Sequence, residues 1–247
     1  GGVTVNFFLA WLIYSSLSFF KGETFHDNAK FENGIAVSDA GKKMGLQTGD
    51  KILKIDGKPA ERMETSTINM LFADNATVLR NGKEVTFPID ENGVAAVLSE
   101  NEAKAYFSPR YPVVIDSLFP NGAAKMAGLI KGDKIIGING KPVGFFDEFG
   151  GELSKYKNQN VNLTVERNNT QQEIKAKVDA KGKLGFSQDL NVAQAEFDKS
   201  KITKEYSFFA AIPRGLVRTI DVLTMQIKQF KIVFNSTTQG YKKVSGP

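Results

Sequence analysis

Cysteine is absent from the 247 residues, and histidine occurs once, at His26. Without cysteine there is no disulfide, and with one histidine no zinc site rich in nitrogen and sulfur donors can be assembled from this chain. The lack of cysteine fits an oxidising envelope as well as a reducing cytosol, so it assigns no compartment. Charge of one sign is also scarce: 32 basic against 27 acidic residues leave a net +5. That excess is modest for the length, and no nucleic-acid-binding motif accompanies it. What the sequence does contain is a repeat.

Ala40-Gly-Lys-Lys-Met-Gly-Leu-Gln-Thr-Gly-Asp-Lys-Ile-Leu-Lys-Ile-Asp-Gly-Lys-Pro59 reads almost position for position onto Ala123-Ala-Lys-Met-Ala-Gly-Leu-Ile-Lys-Gly-Asp-Lys-Ile-Ile-Gly-Ile-Asn-Gly-Lys-Pro142. Two copies predict two domains of one kind. Each copy reads as a short helix stopped at Gly45 or Gly128, where glycine accepts positive φ without a Cβ penalty. A tight turn follows at Gly49-Asp50 or Gly132-Asp133. Next comes an apolar strand (Ile52, Leu53, Ile55; Ile135, Ile136, Ile138), closed by Asp56-Gly57 or Asn139-Gly140. Asp50 and Asp133 have the chemistry of catalytic acids, but an Asp beside a turn Gly far more often accepts backbone N–H groups. Hairpins are expected around Asn81-Gly82 and between Val161 to Asn169 and Gln172 to Val178.

The stretch Ala124 to Gly140 resembles the core of the PDZ domains of bacterial proteases, Ala-x-x-Ala-Gly-Leu-x-x-Gly-Asp-x-Ile-x-x-Ile-Asn-Gly. The first copy departs from it at Met44, where that family carries a small Ala. The resemblance implies two tandem, circularly permuted PDZ domains, mainly β with short helices, in which the strand that receives a peptide follows the Gly-Asp unit. A bound chain would add as a strand to a sheet edge. In the second copy that strand is Lys183-Leu184-Gly185-Phe186, similar to the Gly-Leu-Gly-Phe loop whose amides bind a terminal carboxylate. In the first copy it is Ala103-Lys104-Ala105-Tyr106-Phe107, where Ala105 or Tyr106 replaces the glycine. A nest of adjacent N–H groups is harder to form there, so weaker or internal-peptide recognition is expected. The opposite wall of each groove is expected on a helix, around Met63 to Asp74 (Thr67, Met70, Leu71) and around Phe146 to Tyr156 (Phe149, Leu153). The same apolar residues suit a domain core, and both readings stay open.

The modules are expected near 34–107 and 111–187, with Ser108-Pro109-Arg110 too short for a loose tether. Residues 1–22 read as part or all of a transmembrane helix, since Val3 to Phe20 is apolar but for Thr4, Asn6 and three serines. Phe7 and Trp11 are its expected lipid contacts. A signal peptide fits poorly, with no initiating Met, basic n-region or small-residue cleavage site, and Gly1-Gly2 begins as though cut from something longer. Residues 23–33 read as a linker with an exposed His26. Beyond the second module, 188–247 read as a linker and an amphipathic helix. Its stripe is Phe209, Ile212, Leu216, Ile220, Leu223, Ile227, Phe230 and Phe234, with Arg214, Arg218, Asp221 and Lys228 opposite. Pro213 should start or kink it. Phe209, Leu216, Leu223 and Phe230 would touch the bilayer, and the basic face, with Lys242-Lys243, would suit anionic head groups. Packing on a soluble core is the other reading of that stripe.

The order of these parts resembles bacterial site-2-type intramembrane zinc metalloproteases. In that family a membrane helix opening on a Gly-x-x-x-Asn-like pattern runs into two PDZ domains, a post-PDZ amphipathic helix and a Ser-Gly-Pro-Ile sequence. Gly2-Val-Thr-Val-Asn6 and Val244-Ser-Gly-Pro247 occupy those places here. The resemblance implies a bacterial inner-membrane location with the PDZ pair facing the periplasm. It also implies a phospholipid membrane and transmembrane protein substrates, with their newly cut C-termini, as partners, a monomer, and no nucleic acid. It places zinc in the parent enzyme and none in this chain, because the family's His-Glu-x-x-His and Leu-Asp-Gly motifs are missing from these residues. The implied role is a substrate filter in regulated intramembrane proteolysis, for example of an anti-sigma factor after a first cleavage. The repeat alone would also suit a noncatalytic scaffold or the PDZ pair of an envelope serine protease.

Overall fold

The structure, a computed structural model, describes residues 1–99 and 105–234. It divides into two compact units, one holding Gly1 to Ser108 with Ser200 onward, the other Pro109 to Lys199.

The first unit opens with α1 (Gly2–Lys21), the helix among the described residues long and apolar enough to cross a membrane. β1 (Glu23–His26), a 3-10 turn (Asn28–Lys30) and β2 (Ile35–Val37) follow. The first repeat then supplies α2 (Asp39–Lys43), β3 (Lys51–Ile55), β4 (Lys58–Pro59), α3 (Met63–Met70), β5 (Asn75–Arg80) and β6 (Lys83–Pro88). Ser38 caps α2, its hydroxyl accepting from the Gly41 N–H. Asn81 and Gly82 turn the β5–β6 hairpin with φ of 50° and 76°, the pair of positive angles that a two-residue hairpin demands. α4 (Glu91–Ser99) and β7 (Phe107–Pro109) complete the module. Its strands form a sheet in the order β4-β3-β5-β6, with β2-β7 as a separate pair.

The second unit repeats the plan with β8 (Val113–Leu118), α5 (Ala123–Met126), β9 (Lys134–Ile138), β10 (Lys141–Pro142), α6 (Phe146–Leu153), β11 (Asn160–Arg167), β12 (Thr170–Lys177) and β13 (Phe186–Gln188), and adds α7 (Leu190–Lys199). Its sheet runs β12-β11-β9-β8-β13, with β10 paired to β9. Alternate residues of these strands (Val113, Ile115, Leu163, Val165) meet Phe149 and Leu153 of α6 in one core. Each such fully buried aliphatic side chain contributes roughly 1.5–3 kcal/mol of transfer free energy.

The chain then re-enters the first unit. β14 (Lys201–Lys204) pairs antiparallel with β1, Phe25 opposite Ile202, and α8 (Phe208–Phe234) follows. The entry to and exit from the modules are therefore zipped together. α8 packs on α1 through small residues: Ala211, Gly215 and Thr219 are buried, and a Cβ on Gly215 would lie 2.5 Å from the Ser15 backbone nitrogen. Trp11 Nε1 donates to the Ile212 carbonyl at 2.8 Å, and Phe19 meets Phe208 edge to face.

Several sequence expectations change here. Residues 23–33 are not an open linker, because Phe25, Asn28 and Phe31 are buried and β1 is laddered. His26 is half-buried rather than exposed, with Nδ1 2.6 Å from Glu64 Oε1. Ser108 and Pro109 belong to a strand. α3 stops at Met70, and the Phe146 to Tyr156 stretch divides into α6 and a 3-10 turn (Ser154–Tyr156). Pro213 lies inside α8, within its first two turns, rather than at its start.

Candidate functional site

The two repeated aspartates are structural. Asp50 and Asp133 are buried, and each accepts a bidentate fork, from Arg80 (2.8 and 2.7 Å) and from Arg167 (both 2.7 Å). Each arginine also donates to the carbonyl of the glycine that ends the short helix, Gly45 or Gly128. The same carboxylates accept from Gln47 and Ile130 N–H groups across their turns. Three hydrogen bonds to each carboxylate hold helix, turn and hairpin together, and both guanidinium pKa values rise because of the carboxylate each one meets. The arginine partners carry no local sequence signal; their matched positions after the two hairpin strands were the available clue.

The strands expected to receive a peptide superpose by their hydrogen bonds. The Gly185 carbonyl accepts from Phe119 N–H at 3.0 Å, and the Tyr106 carbonyl accepts from Ser38 N–H at 2.9 Å. Tyr106 thus stands where Gly185 stands, and Phe107 where Phe186 stands, which decides between Ala105 and Tyr106 as the glycine's replacement.

In the second copy Gly185 has φ of 79°, and a Cβ on it would lie 2.7 Å from the Gly122 Cα, so both dihedral and space call for glycine. Leu184 is buried, Lys183 is exposed, and the Lys183 N–H donates to Asp179 Oδ1 at 2.7 Å. β13 ends the strand order, with β8 as its sheet neighbour. Phe186 is half-buried and packs on Phe149 of α6, ring centroids 5.8 Å apart, while Phe149 and Leu153, expected to wall the groove, are both buried in the core.

The first copy is closed. Ala105 is exposed, but Tyr106 is only 5% exposed and Phe107 is buried. The Tyr106 ring meets Phe107 edge to face, and its hydroxyl donates to the Thr67 carbonyl of α3 at 2.5 Å. Burial pushes the phenol's pKa well above its ordinary value, so it remains a donor. Its side chain thus spans from the start of β7 to α3. Met70 is buried at the end of the same helix, Leu71 just beyond it is half-buried, and Lys104 lies outside the described residues.

The second copy's helix is held from both ends. Arg110 ion-pairs with Asp147 and Glu148 and lies 3.9 Å over the Phe145 ring, while Tyr111 stacks on Phe146. Hydrogen bonds from Lys141 and Lys155 hold the Glu152 carboxyl down to about 2. Arg110 reads as a mere join in the sequence, and only the fold brings it to α6.

Of the residues expected to touch lipid, Phe7 and Trp11 are half-buried on α1, with Trp11 engaged on α8, and Leu216 is half-buried as well. Phe209 is 82% exposed and Leu223 is exposed, as are Ile212, Ile220 and Ile227 of the same stripe. The Phe230 side chain and Lys242-Lys243 lie outside the described residues. The stripe is free because the inter-helix contact uses Ala211, Gly215 and Thr219 instead. Arg214 and Arg218 do not form a loose basic face: Arg214 grips Glu23 through Nε and Nη2 (2.8 to 3.0 Å), Arg62 pairs with the same carboxylate, and Arg218 approaches it at 3.9 Å. Burial pushes the Glu23 carboxyl up, but hydrogen bonds from Arg214 and Arg62 outweigh it and leave the pKa below the ordinary value.

Among the described residues no group of three or more His, Cys, Asp or Glu is arranged to hold a metal ion. With one histidine and no cysteine, the chain does not fit a zinc centre.

A family model for the PDZ domain matches residues 93–178, which take in most of the second copy. The chain therefore contains a PDZ domain, within a mainly β architecture that carries an apolar N-terminal helix. Its curated relatives are zinc metalloproteases. RasP of Geobacillus kaustophilus is 31% identical over 112 residues, 44% of this chain and 25% of that protein. NMA0084 of Neisseria meningitidis serogroup A, which bears the zinc metalloprotease name provisionally, is 26% identical over 175 residues, 67% of this chain and 39% of that protein. The chain thus spans between a quarter and two fifths of the length of these relatives. The PDZ domain of an SdrC-like protein from Listeria innocua is 24% identical over 31% of this chain and 92% of its own, with a TM-score of 0.28.

Proposed function

We propose that these residues form the substrate-selecting PDZ section of a membrane-embedded, site-2-type zinc metalloprotease, with α1 crossing the bacterial inner membrane and both modules on its periplasmic side. The observation that carries this reading is the asymmetry of the two grooves in a chain related to zinc metalloproteases. The second module offers an edge strand (Phe186–Gln188), a glycine-dependent turn and an aromatic helix wall, which together suit strand addition by a trimmed chain and capture of its new C-terminus. The first module fills the equivalent space with Tyr106 and acts as a wall, excluding bulky domains by shape. Zinc and the hydrolytic residues belong to the rest of the parent enzyme. The exposed stripe of α8 and the surface of α1 supply the contact with phospholipid.

The test is cleavage by the full-length parent of a membrane substrate with and without its bulky extracytoplasmic domain. The parent should cut the trimmed substrate alone, and deletion of the two modules should allow both to be cut. Loss of all cleavage on deletion, or retained discrimination, contradicts the filter.

A further inference from the structure

Arg62, Arg214 and Arg218 converge on one carboxylate, Glu23, which is 2% exposed. Three guanidiniums surround this one carboxylate, and Lys58 lines the same cleft. The carboxylate lies behind them, and all three arginines line a cleft of about 530 Å³ between α8 and the β3–α3 segment of the first module. Three acids also line this cleft, and two of them are committed elsewhere. Glu61 pairs with Lys204 at 3.0 Å, and Asp56 Oδ1 accepts from the Asp74 and Asn75 amides. Asp221, exposed, is the third. Arg218 is the least engaged of the arginines: its side chain is 41% exposed, its guanidinium lies 4.9 Å over the Tyr14 ring, and its approach to Glu23 is long. Thr65 and Asn69 add hydrogen-bonding side chains to the wall.

Position selects the ligand. Glu23 follows the last residue of α1 by two and accepts from Ser18 Oγ of that helix at 3.5 Å, and Arg218 lies over Tyr14, so the guanidiniums lie along the last two turns of an apolar helix. We propose that this cleft binds the phosphate of an anionic phospholipid head group, with Arg218 as the principal donor and Arg62 and Arg214, prearranged by Glu23, as its support. A fork-shaped donor set held by a buried carboxylate is rigid before the ligand arrives, which limits the entropy lost on binding. The inference rests on α1 being inserted in a bilayer, as proposed above.

The test is native mass spectrometry of the chain released from nanodiscs of phosphatidylcholine or of an equal mixture with phosphatidylglycerol. Arg218→Gln is the variant, and Lys175→Gln, on the exposed face of the second unit, is the control. Retained phosphatidylglycerol should fall about tenfold in Arg218→Gln and stay unchanged in Lys175→Gln, with the thermal midpoint preserved. Equal retention by Arg218→Gln overturns the proposal. So does tight binding of inorganic phosphate alone, which would make the cleft a free-phosphate site. Binding of a peptide with a free C-terminal carboxylate, lost in Arg218→Gln, would also overturn it by assigning the cleft to a polypeptide. A chain that fails to enter either nanodisc contradicts the membrane reading itself, whereas insertion with unaltered lipid retention contradicts only the head-group site.

Discussion

The two modules share a skeleton and differ at the residue just before β7 and β13. Both fix their helix, turn and hairpin with a buried Asp gripped by an Arg, at Asp50–Arg80 and Asp133–Arg167. They part where Tyr106 stands for Gly185. Glycine leaves a bare backbone against Gly122 at the start of α5, whereas tyrosine extends to α3 and hydrogen bonds to Thr67. The helix walls differ in step. By the offset that relates Gly45 to Gly128, Phe149 corresponds to Ser66; both are buried, Phe149 in the core beside Phe186 and Ser66 hydrogen bonded to Asn28 at 2.8 Å. A fold duplicated in sequence thus carries a glycine in one module where the other has a tyrosine that reaches its helix.

Exchanging this residue should produce the largest effect. Gly185→Tyr puts a side chain at positive φ against Gly122, and peptide affinity measured by calorimetry should drop at least about tenfold, equivalent to about 1.4 kcal/mol. Unchanged affinity would remove Gly185 from the site. The shared skeleton should fail equally in both modules. Arg80→Ala or Arg167→Ala strands a buried carboxylate and should cost about 3–5 kcal/mol by denaturant unfolding, with a markedly unequal pair of losses contradicting a common device. Tyr106→Phe removes only the hydroxyl, leaves the Thr67 carbonyl without that donor, and should destabilise the first unit by about 1 kcal/mol while leaving the second untouched.

Acid supplies the smallest contrast. Glu152 corresponds by the same offset to Asn69, so the first module has no titrating counterpart there. Since the folded carboxyl is lowered to about 2 by Lys141 and Lys155, its contribution is present above the ordinary carboxylate range and is lost as pH falls through about 2. Side-chain NMR should therefore show Glu152 titrating near the lower value. A titration at the ordinary carboxylate value would dissolve the two ion pairs.

The repeat was legible because it depends on backbone demands. Positive φ at Gly45, Gly128, Asp56 and Asn139 follows from glycine and Asx turn chemistry, and the hairpin at Asn81-Gly82 likewise. The turn before β13 was also readable, through Gly185. What escaped were contacts between distant segments. Nothing near Arg80 or Arg167 announces its aspartate, and nothing near Glu23 announces Arg62, Arg214 and Arg218, because such pairs form only after the chain has folded. β1 and β14 are short and polar, so their pairing across most of the chain left no periodic trace. α8 was correctly read as amphipathic, but its packing face is set by Ala211, Gly215 and Thr219, and small residues escape a search for hydrophobic stripes.

The sharpest test of the asymmetry is a backbone NMR titration of the chain in detergent with a peptide ending in a free carboxylate. The account predicts shifts confined to Leu184 through Gln188 and α6, with Ala105 through Pro109 and α3 unmoved. Saturable shifts along α3 and Tyr106 at the same peptide concentrations would contradict it.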